Sequence, residues 1–248
     1  MRGYKLQSKN IELKLSERIK KKIPETKKQF YSDWNQNIEL YQNQYEKIYC
    51  NGDSNSKKIS LTFDDAPDAY CTPKILDILK RLNVQASFSV IGLHIEDNKG
   101  LLKRIYDEKH TIMNHTYRHY ELPTLSKEEL YKEIKKTEEL IFNIIGVKPS
   151  IIRPPYGILS HDLVEEISTM NYNILLWSYE TCDWLAETAE DILETMVEEV
   201  RPGEIILLHS YENKEATVKA LEPLILGLRK RGFEIVPIEE LLNISCYY

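Results

Sequence analysis

An alternation of short apolar runs with longer amphipathic stretches, from residue 58 to residue 242, constrains the fold more than any other feature. Apolar runs of strand length separated by helix-like segments predict buried parallel strands joined by helices. Seven runs fit this description: residues 59–63, 86–91, 111–114, 151–153, 174–178, 204–209 and 234–236. We therefore predict an α/β fold, a distorted (β/α) barrel with about seven parallel strands instead of the regular eight.

The first 56 residues differ from this pattern. Residues 13–49 are polar, with two helix-like stretches broken at Pro24, and residues 51–56 are rich in turn formers. We predict an N-terminal helical arm and linker over residues 1–56 and a main domain over residues 57–248. The arm either has a function of its own or simply packs on the main domain.

Charge and composition exclude several classes of partner. The net charge of -6, with both signs mixed, predicts neither nucleic-acid binding nor attraction to an anionic membrane. We expect no transmembrane span, and the N-terminus MRGYKLQSKN lacks the apolar core of a signal peptide. The four cysteines form no CxxC pair, so a zinc-cysteine site is not expected.

Adjacent carboxylates end the first predicted strand of the main domain. Asp64 and Asp65 follow an apolar run, and Pro67 then stops the strand. Two like charges side by side are costly unless a positive charge lies next to them. A metal ion would let one carboxylate bind it while the other stays ionised as a general base. The alternative is an exposed Asp-Asp loop without a ligand.

A pair of histidines follows the third predicted strand. His115 and His119 are four residues apart, a spacing that brings both rings to one face of a helical turn. Two imidazoles with one carboxylate form a facial set of ligands, which leaves coordination positions open as a catalytic site requires. The alternative is a histidine pair without ligand function.

Further polar and aromatic candidates lie at the ends of predicted strands. Arg153 begins the stiff stretch RPPYG, which would fix its guanidinium and the backbone N–H of Tyr156 as rigid donors to an oxyanion. Asp183, Trp184 and His209 follow the next two strands. A turn with an exposed arginine and a structural histidine are the alternatives. Because all candidates fall at the carboxyl ends of successive strands, where barrels of this class build their sites, together they favour a catalytic centre.

These motifs resemble those of a known family. TFDDAPD, HTYRH, RPPYG, the stretch ending in Asp183 and Trp184, and LLH at residues 207–209 have the order and spacing of polysaccharide deacetylases of the NodB-homology type, carbohydrate esterase family 4. The resemblance extends from about residue 58 to residue 242. It implies metal-dependent hydrolysis of N-acetyl groups on amino-sugar polymers, either peptidoglycan N-acetylglucosamine or chitin-like oligomers, to free amine and acetate.

The resemblance also implies roles in proton transfer. Asp64 matches the general base of the family, and Arg153 matches the residue that orients it. His209 matches the general acid, which Asp183 tunes. The backbone N–H of Tyr156 matches a donor to the oxyanion.

Metal and substrate contacts follow from the same match. The cofactor is expected to be one divalent metal ion, zinc first, with Co²⁺, Mn²⁺ or Ni²⁺ as alternatives. Three side chains match its ligands: Asp65, His115 and His119. Three residues match the substrate pocket: Trp184, Leu207 and Tyr156. Three positions depart from the family pattern, because Ala66 and Lys109 replace a common glycine and Glu180 replaces a frequent aspartate.

Other functions and locations remain open. A metal-dependent amidase or esterase acting on a small molecule or on O-acetyl xylan is one alternative, and a catalytically impaired carbohydrate-binding module is another. Retention of every proposed ligand and proton-transfer position argues against the latter. The expected partner is an N-acetylated oligo- or polysaccharide, and the oligomeric state is open. Family members mostly act outside the cell, so the location is extracellular or the cell envelope if the N-terminus is truncated, and cytoplasmic otherwise.

Overall fold

The computed structural model describes residues 12–15 and 21–248. The strands in these residues are β1 Lys14–Leu15, β2 Ile48–Tyr49, β3 Lys58–Ala66, β4 Ser87–Val90, β5 Thr111–Asn114, β6 Ile151–Ile152, β7 Asn173–Leu175, β8 Tyr179–Glu180, β9 Ile205–His209 and β10 Glu234–Ile235. The helices are α1 Glu25–Gln44, α2 Cys71–Arg81, α3 Gly92–Asp97, α4 Lys99–Asp107, α5 Lys127–Ile145, α6 His161–Thr169, α7 Ala189–Glu199, α8 Glu215–Lys230 and α9 Ile238–Leu242. Short 3-10 turns cover Leu122–Thr124, Pro155–Gly157 and Asp183–Leu185.

The strands form one curved parallel sheet. Their order is β1-β8-β9-β3-β4-β5-β6-β7-β2, with β10 beside the start of β3. Although β7 and β8 lie near opposite ends of this order, only residues 176–178 separate them along the chain. This short connection curls the sheet so that its two ends approach each other, and the predicted distorted barrel is confirmed with more strands than the seven predicted.

Side-chain alternation along the strands builds two apolar clusters. On β9, Ile206 and Leu208 join one cluster, whereas Ile205 and Leu207 join the other, as the two-residue period of a strand requires. The second cluster also contains Trp177 and Trp34. Leu207 therefore lies on the side of β9 that faces the cluster with Trp177 and Trp34.

The N-terminal segment is built into this sheet. β1 pairs with β8 and β2 pairs with β7, while α1 connects the two edges. The predicted helix is thus present, and Trp34 and Ile38 on it are buried. The helix-like stretch predicted before Pro24 falls partly on residues 16–20, outside the described residues. The division into an arm of residues 1–56 and a domain of residues 57–248 stays a prediction.

Two expectations from composition concern cysteines and membranes. Cys50, Cys71, Cys182 and Cys246 are all buried with free thiols. None of the helices within residues 21–248 has both the length and the apolar character that crossing a bilayer would need.

Packing of α1 on the barrel is testable. Trp34→Ala should lower the free energy of unfolding by about 3 kcal/mol, because the indole is 3% exposed and its ring centroid lies 4.7 Å from that of Trp177. Leu40→Ala on the same helix is the control, since Leu40 is 56% exposed and its loss should cost less than about 0.5 kcal/mol. Urea unfolding measures both values, and equal losses would contradict the packing.

Candidate active site

The predicted site residues gather around one cavity at the carboxyl ends of the strands. The cavity has a volume of about 490 Å³, within the range of small-molecule sites. Its lining includes eight of the predicted residues: Asp64, Asp65, His115, His119, Tyr156, Trp184, Leu207 and His209. The other two, Arg153 and Asp183, are fully buried.

The end of β3 supplies both carboxylates. Asp64 lies opposite His209 of β9 in the parallel register. Successive strand residues normally point to opposite faces, but Asp65 adopts a φ of 68°, which breaks the alternation and lets both carboxylates line the cavity. His94 on α3 holds this conformation, because its Nδ1 donates to the carbonyl oxygen of Asp65 at 2.9 Å.

Arg153 fixes the ionisation of Asp64. Its guanidinium lies 2.7 Å from Asp64 Oδ1 and donates also to Thr62 Oγ1 and to the carbonyl oxygens of Leu175 and Leu176. Burial alone would raise the pKa of Asp64, but Arg153 and the neighbouring imidazoles outweigh it and hold the pKa below its usual value. Asp64 is therefore a buried carboxylate that stays charged at neutral pH.

Three ligand candidates converge beside Asp64. Asp65 Oδ1 lies 3.4 Å from His119 Nε2 and 3.6 Å from His115 Nε2, and the two Nε2 atoms are 3.1 Å apart. His115 Nδ1 donates to the carbonyl oxygen of Arg153 at 2.6 Å, which leaves the Nε2 lone pair free for a ligand bond. Burial and the adjacent His115 lower the pKa of His119 to about 4, so its imidazole is neutral at pH 7.

The segment that carries the two histidines is a loop. The predicted helical turn is wrong, because residues 115–121 form no helix and both Thr116 and His119 have a positive φ. Glu133 on α5 shapes the loop by accepting the backbone N–H groups of Tyr117 and Arg118 at 3.0 and 2.6 Å. The rings meet because of this backbone path, and sequence spacing alone did not reveal it.

This arrangement fits a divalent cation. Asp65 Oδ1 is buried and accepts a hydrogen bond from none of the described residues. A buried carboxylate oxygen without a hydrogen-bond donor is costly unless a positive charge lies beside it, and the Nε2 atoms of both imidazoles converge on the same point. Ligand atoms of Asp65, His115 and His119 all lie within 4.8 Å of one another, and their types are those that zinc and related divalent metals use.

The RPPYG stretch forms a tight turn at the cavity edge. Tyr156 has a φ of 60° and its ring packs edge-on against His119 at 4.7 Å. Gly157 has a φ of 68°, and a Cβ atom there would lie 2.6 Å from Trp34 and 2.8 Å from Trp177. Only glycine suits this backbone, so the turn that carries Tyr156 is held against the two indoles.

His209 forms an ion pair with the fully buried Asp183. Asp183 Oδ1 lies 2.6 Å from His209 Nδ1, and its Oδ2 accepts the backbone N–H of His209 and the hydroxyl of Thr217. Burial alone would lower the pKa of His209, but the Asp183 carboxylate outweighs it, with Asp65 and Asp64 adding to the effect, and raises the pKa to about 10. His209 is thus a protonated imidazole through neutral pH.

Several cavity residues were missed from sequence. Lys27, Phe30 and Tyr31 of α1 line the cavity, as does Glu121. Lys27, Phe30 and Tyr31 lie in a polar segment that follows no predicted strand. The expectation that site residues lie at the carboxyl ends of strands therefore did not apply to them. The dense aromatic stretch QFYSDW at residues 29–34 was the available signal.

The three departures from the family pattern have different surroundings. Lys109 has a φ of 68°, the left-handed region that favours glycine. Ala66 is fully buried at the end of β3. Glu180 is buried yet lines the cavity, and its burial raises its pKa to about 7, against the opposing effect of His209. Of these three positions, Glu180 is the one that lines the cavity.

Comparison with known proteins decides the family. The family model for polysaccharide deacetylase matches residues 51–175, which hold three of the five motifs. A peptidoglycan-N-acetylglucosamine deacetylase of Bacillus cereus is 37% identical over 196 residues, 78% of this chain and 71% of that relative. The chain belongs to the polysaccharide deacetylase family. It is therefore an enzyme, a hydrolase of carbohydrate esterase family 4.

Further similarities extend this result. A peptidoglycan-N-acetylglucosamine deacetylase of Listeria monocytogenes is 37% identical over 186 residues, 75% of this chain but only 39% of that relative. A crystal structure of a peptidoglycan N-acetylglucosamine deacetylase superimposes with a TM-score of 0.81 and 34% identity, covering 84% of this deacetylase and 98% of that chain. The fold of the deacetylase is thus that of its family.

The metal site is tested by ligand removal. His119→Ala should weaken the binding of one divalent ion by at least about tenfold, because it removes one of the three converging ligand atoms. His161→Ala, at an exposed position, is the control and should leave the metal content unchanged. Elemental analysis after dialysis measures both. A full metal complement in His119→Ala would remove this residue from the site.

The ion pair between His209 and Asp183 predicts a pH effect. A histidine with a pKa of about 10 stays protonated until pH rises through that value. Asp183→Asn removes the charge that raises this pKa, so the alkaline limb of the pH-rate profile should move to lower pH. Metal content should stay the same in this variant. An alkaline limb that does not move would show that Asp183 does not set the ionisation of His209.

Proposed function

We propose that this deacetylase removes acetyl groups from N-acetylated amino sugars in a glycan, either peptidoglycan N-acetylglucosamine or a chitin-like oligomer. The products are acetate and a free amine. The observation that carries this proposal is the presence of a charged carboxylate, a protonated imidazole and a metal-ligand triad around one cavity. The names of the relatives, which are peptidoglycan deacetylases, support the same substrate class.

The ligand triad would hold one divalent ion. Asp65, His115 and His119 are its proposed ligands, and zinc is the first choice because neutral imidazoles with one carboxylate suit it. Co²⁺, Mn²⁺ and Ni²⁺ accept the same ligand types. When bound, such an ion supplies Lewis acidity to a carbonyl oxygen and lowers the pKa of water.

Asp64 is the proposed general base. Arg153 holds it ionised and fixes one carboxylate oxygen. The other oxygen, Oδ2, lies 3.7 Å from His115 Nε2, beside the proposed metal ligands. From this position the carboxylate takes a proton from the water that attacks the acetyl carbonyl.

His209 is the proposed general acid. An amide nitrogen leaves readily only after it gains a proton, and the raised pKa of His209 keeps that proton available at neutral pH. Asp183 also fixes the ring through Nδ1, so Nε2 is the atom that delivers the proton. The backbone N–H of Tyr156 is proposed as a donor to the oxyanion of the tetrahedral intermediate.

The remaining roles concern the substrate. Trp184 and Leu207, with Tyr156, are proposed to enclose the acetyl group, because these apolar surfaces line the same cavity as the base and the acid. Residues 57–248 are proposed as the catalytic domain. A peptidoglycan substrate would place the activity in the cell envelope.

An assay on defined substrates tests the function. N-acetylglucosamine oligomers and glycan strands of peptidoglycan should lose acetyl groups, measured as released acetate and as product mass. A chelator should abolish the release. Turnover of small amides or of O-acetyl xylan with no turnover of either amino-sugar polymer would overturn the proposal, and binding of glycan without turnover would indicate an impaired carbohydrate-binding module.

The base is tested separately from the metal. Asp64→Asn preserves the shape of the side chain but cannot accept a proton, so turnover should fall by about 100-fold or more while the metal content persists. Asp68→Asn is the control on the same loop, since Asp68 caps the start of α2 through the N–H groups of residues 70–72. Near-normal turnover in Asp64→Asn would assign the base elsewhere.

A further inference from the structure

The first turns of α1 form one wall of the active-site cavity. Three of its residues line the cavity: Lys27, Phe30 and Tyr31. Lys27 and Phe30 are about one helical turn apart, and Tyr31 follows Phe30 directly. β1 runs parallel to β8 and therefore leads toward the carboxyl end of the sheet, the end at which α1 begins. This topology explains how a helix outside the predicted strand-helix alternation reaches the catalytic residues.

Specific contacts hold this wall in place. The Tyr31 hydroxyl donates to Glu180 Oε2 at 3.4 Å, and Lys27 Nζ lies 4.6 Å from the ring centroid of Trp184. Both partners, Glu180 and Trp184, line the cavity themselves. Phe30 packs edge-on against Trp34 at 5.3 Å, and Trp34 in turn packs against Trp177. The wall is thus fixed to Trp177, Glu180 and Trp184, which line the same cavity.

The chemistry of the wall differs from that of the catalytic floor. The floor consists of carboxylates and imidazoles, whereas α1 presents two aromatic rings and an ammonium group. A pyranose ring has apolar C–H faces and a polar hydroxyl rim. Aromatic rings with a polar edge pack against surfaces of that kind, and an ammonium group donates hydrogen bonds to hydroxyl oxygens. The wall therefore suits the apolar faces and the hydroxyl rim of a sugar ring.

We infer that Lys27, Phe30 and Tyr31 form a glycan-binding wall that contacts the sugar units next to the one that loses its acetyl group. The inference rests on the proposed function, since it needs a glycan in the cavity. The family model matches residues 51–175, so these three residues lie before the matched segment. It would make α1 a determinant of substrate specificity.

Lysine variants on α1 provide a matched test. Lys27→Ala removes the ammonium from the wall, whereas Lys28→Ala removes the next ammonium along the helix, which pairs with Glu25 outside the cavity. Both side chains are exposed, so neither change should disturb folding. For each variant, kcat/KM is measured on N-acetylglucosamine oligomers of increasing length and on a small activated acetate ester.

The ratio of the glycan value to the ester value is the readout. Lys27→Ala should lower this ratio by at least about fivefold on long oligomers, mainly through a higher KM, with a smaller loss on short ones. Lys28→Ala should keep the parent ratio. Phe30→Leu, which retains an apolar side chain against Trp34, should lower the ratio in the same length-dependent way.

The outcomes separate this inference from the proposed function. If the parent deacetylates the oligomers and both Lys27→Ala and Phe30→Leu keep the parent ratio at every length, the wall does not bind glycan and the inference is wrong. If the parent hydrolyses the ester but no N-acetylated oligomer, the proposed function fails and the inference fails with it. A length-dependent loss confined to the wall variants supports both.

Discussion

The buried ion pair between Arg153 and Asp64 is the interaction on which the rest of the structure depends. A fully buried guanidinium is costly unless its N–H groups find acceptors, and here the acceptors come from both β3 and the carbonyls of Leu175 and Leu176. Those carbonyls lie where β7 leads into β8, the short connection between the two ends of the sheet. The Arg153 side chain therefore connects the end of β6, where it lies, to β3 and to the β7–β8 connection. It also keeps the proposed base ionised. The Arg153 guanidinium thus serves both the fold and the proposed reaction.

The pKa values of Asp64 and His209 move in opposite directions for the same kind of reason. Asp64 has a cation as its nearest charged partner, and its pKa falls, whereas His209 has a buried carboxylate, and its pKa rises to about 10. Each group thus keeps at neutral pH the charge that its proposed role requires. Glu180, without an equivalent close cation, has its pKa raised to about 7 by burial. The charged groups beside Asp64, His209 and Glu180, more than the exposure of these side chains, therefore determine how their pKa values differ.

Much of the site was predictable because it follows one topological rule. In a parallel barrel the strand ends meet, so polar residues after apolar runs were expected to converge, and Asp65, His115 and His119 do so. The local path was not predictable: the histidines lie on a loop whose shape depends on Glu133, a residue distant in sequence. β1 and β2 have two residues each, too short for any periodic pattern, and they exist only because the edges of β8 and β7 are available to them. The position of α1 at the cavity follows from those two pairings, so it was hidden for the same reason.

The pairing of β1 and β2 also covers backbone groups to which a strand of another molecule could bind. Residues 173–180 have one side directed away from the rest of the sheet, and its backbone groups bond to the N-terminal segment: Lys14 N–H to the carbonyl of Ser178, and the N–H groups of Ile174 and Leu176 to the carbonyls of Lys47 and Tyr49. Without these partners a row of unsatisfied donors and acceptors would be open to a strand from another molecule, the usual starting point of edge-to-edge aggregation. The N-terminal segment therefore protects an edge as well as bordering a cavity. A shortened chain beginning at residue 57 would lose that protection even if every proposed catalytic residue were retained.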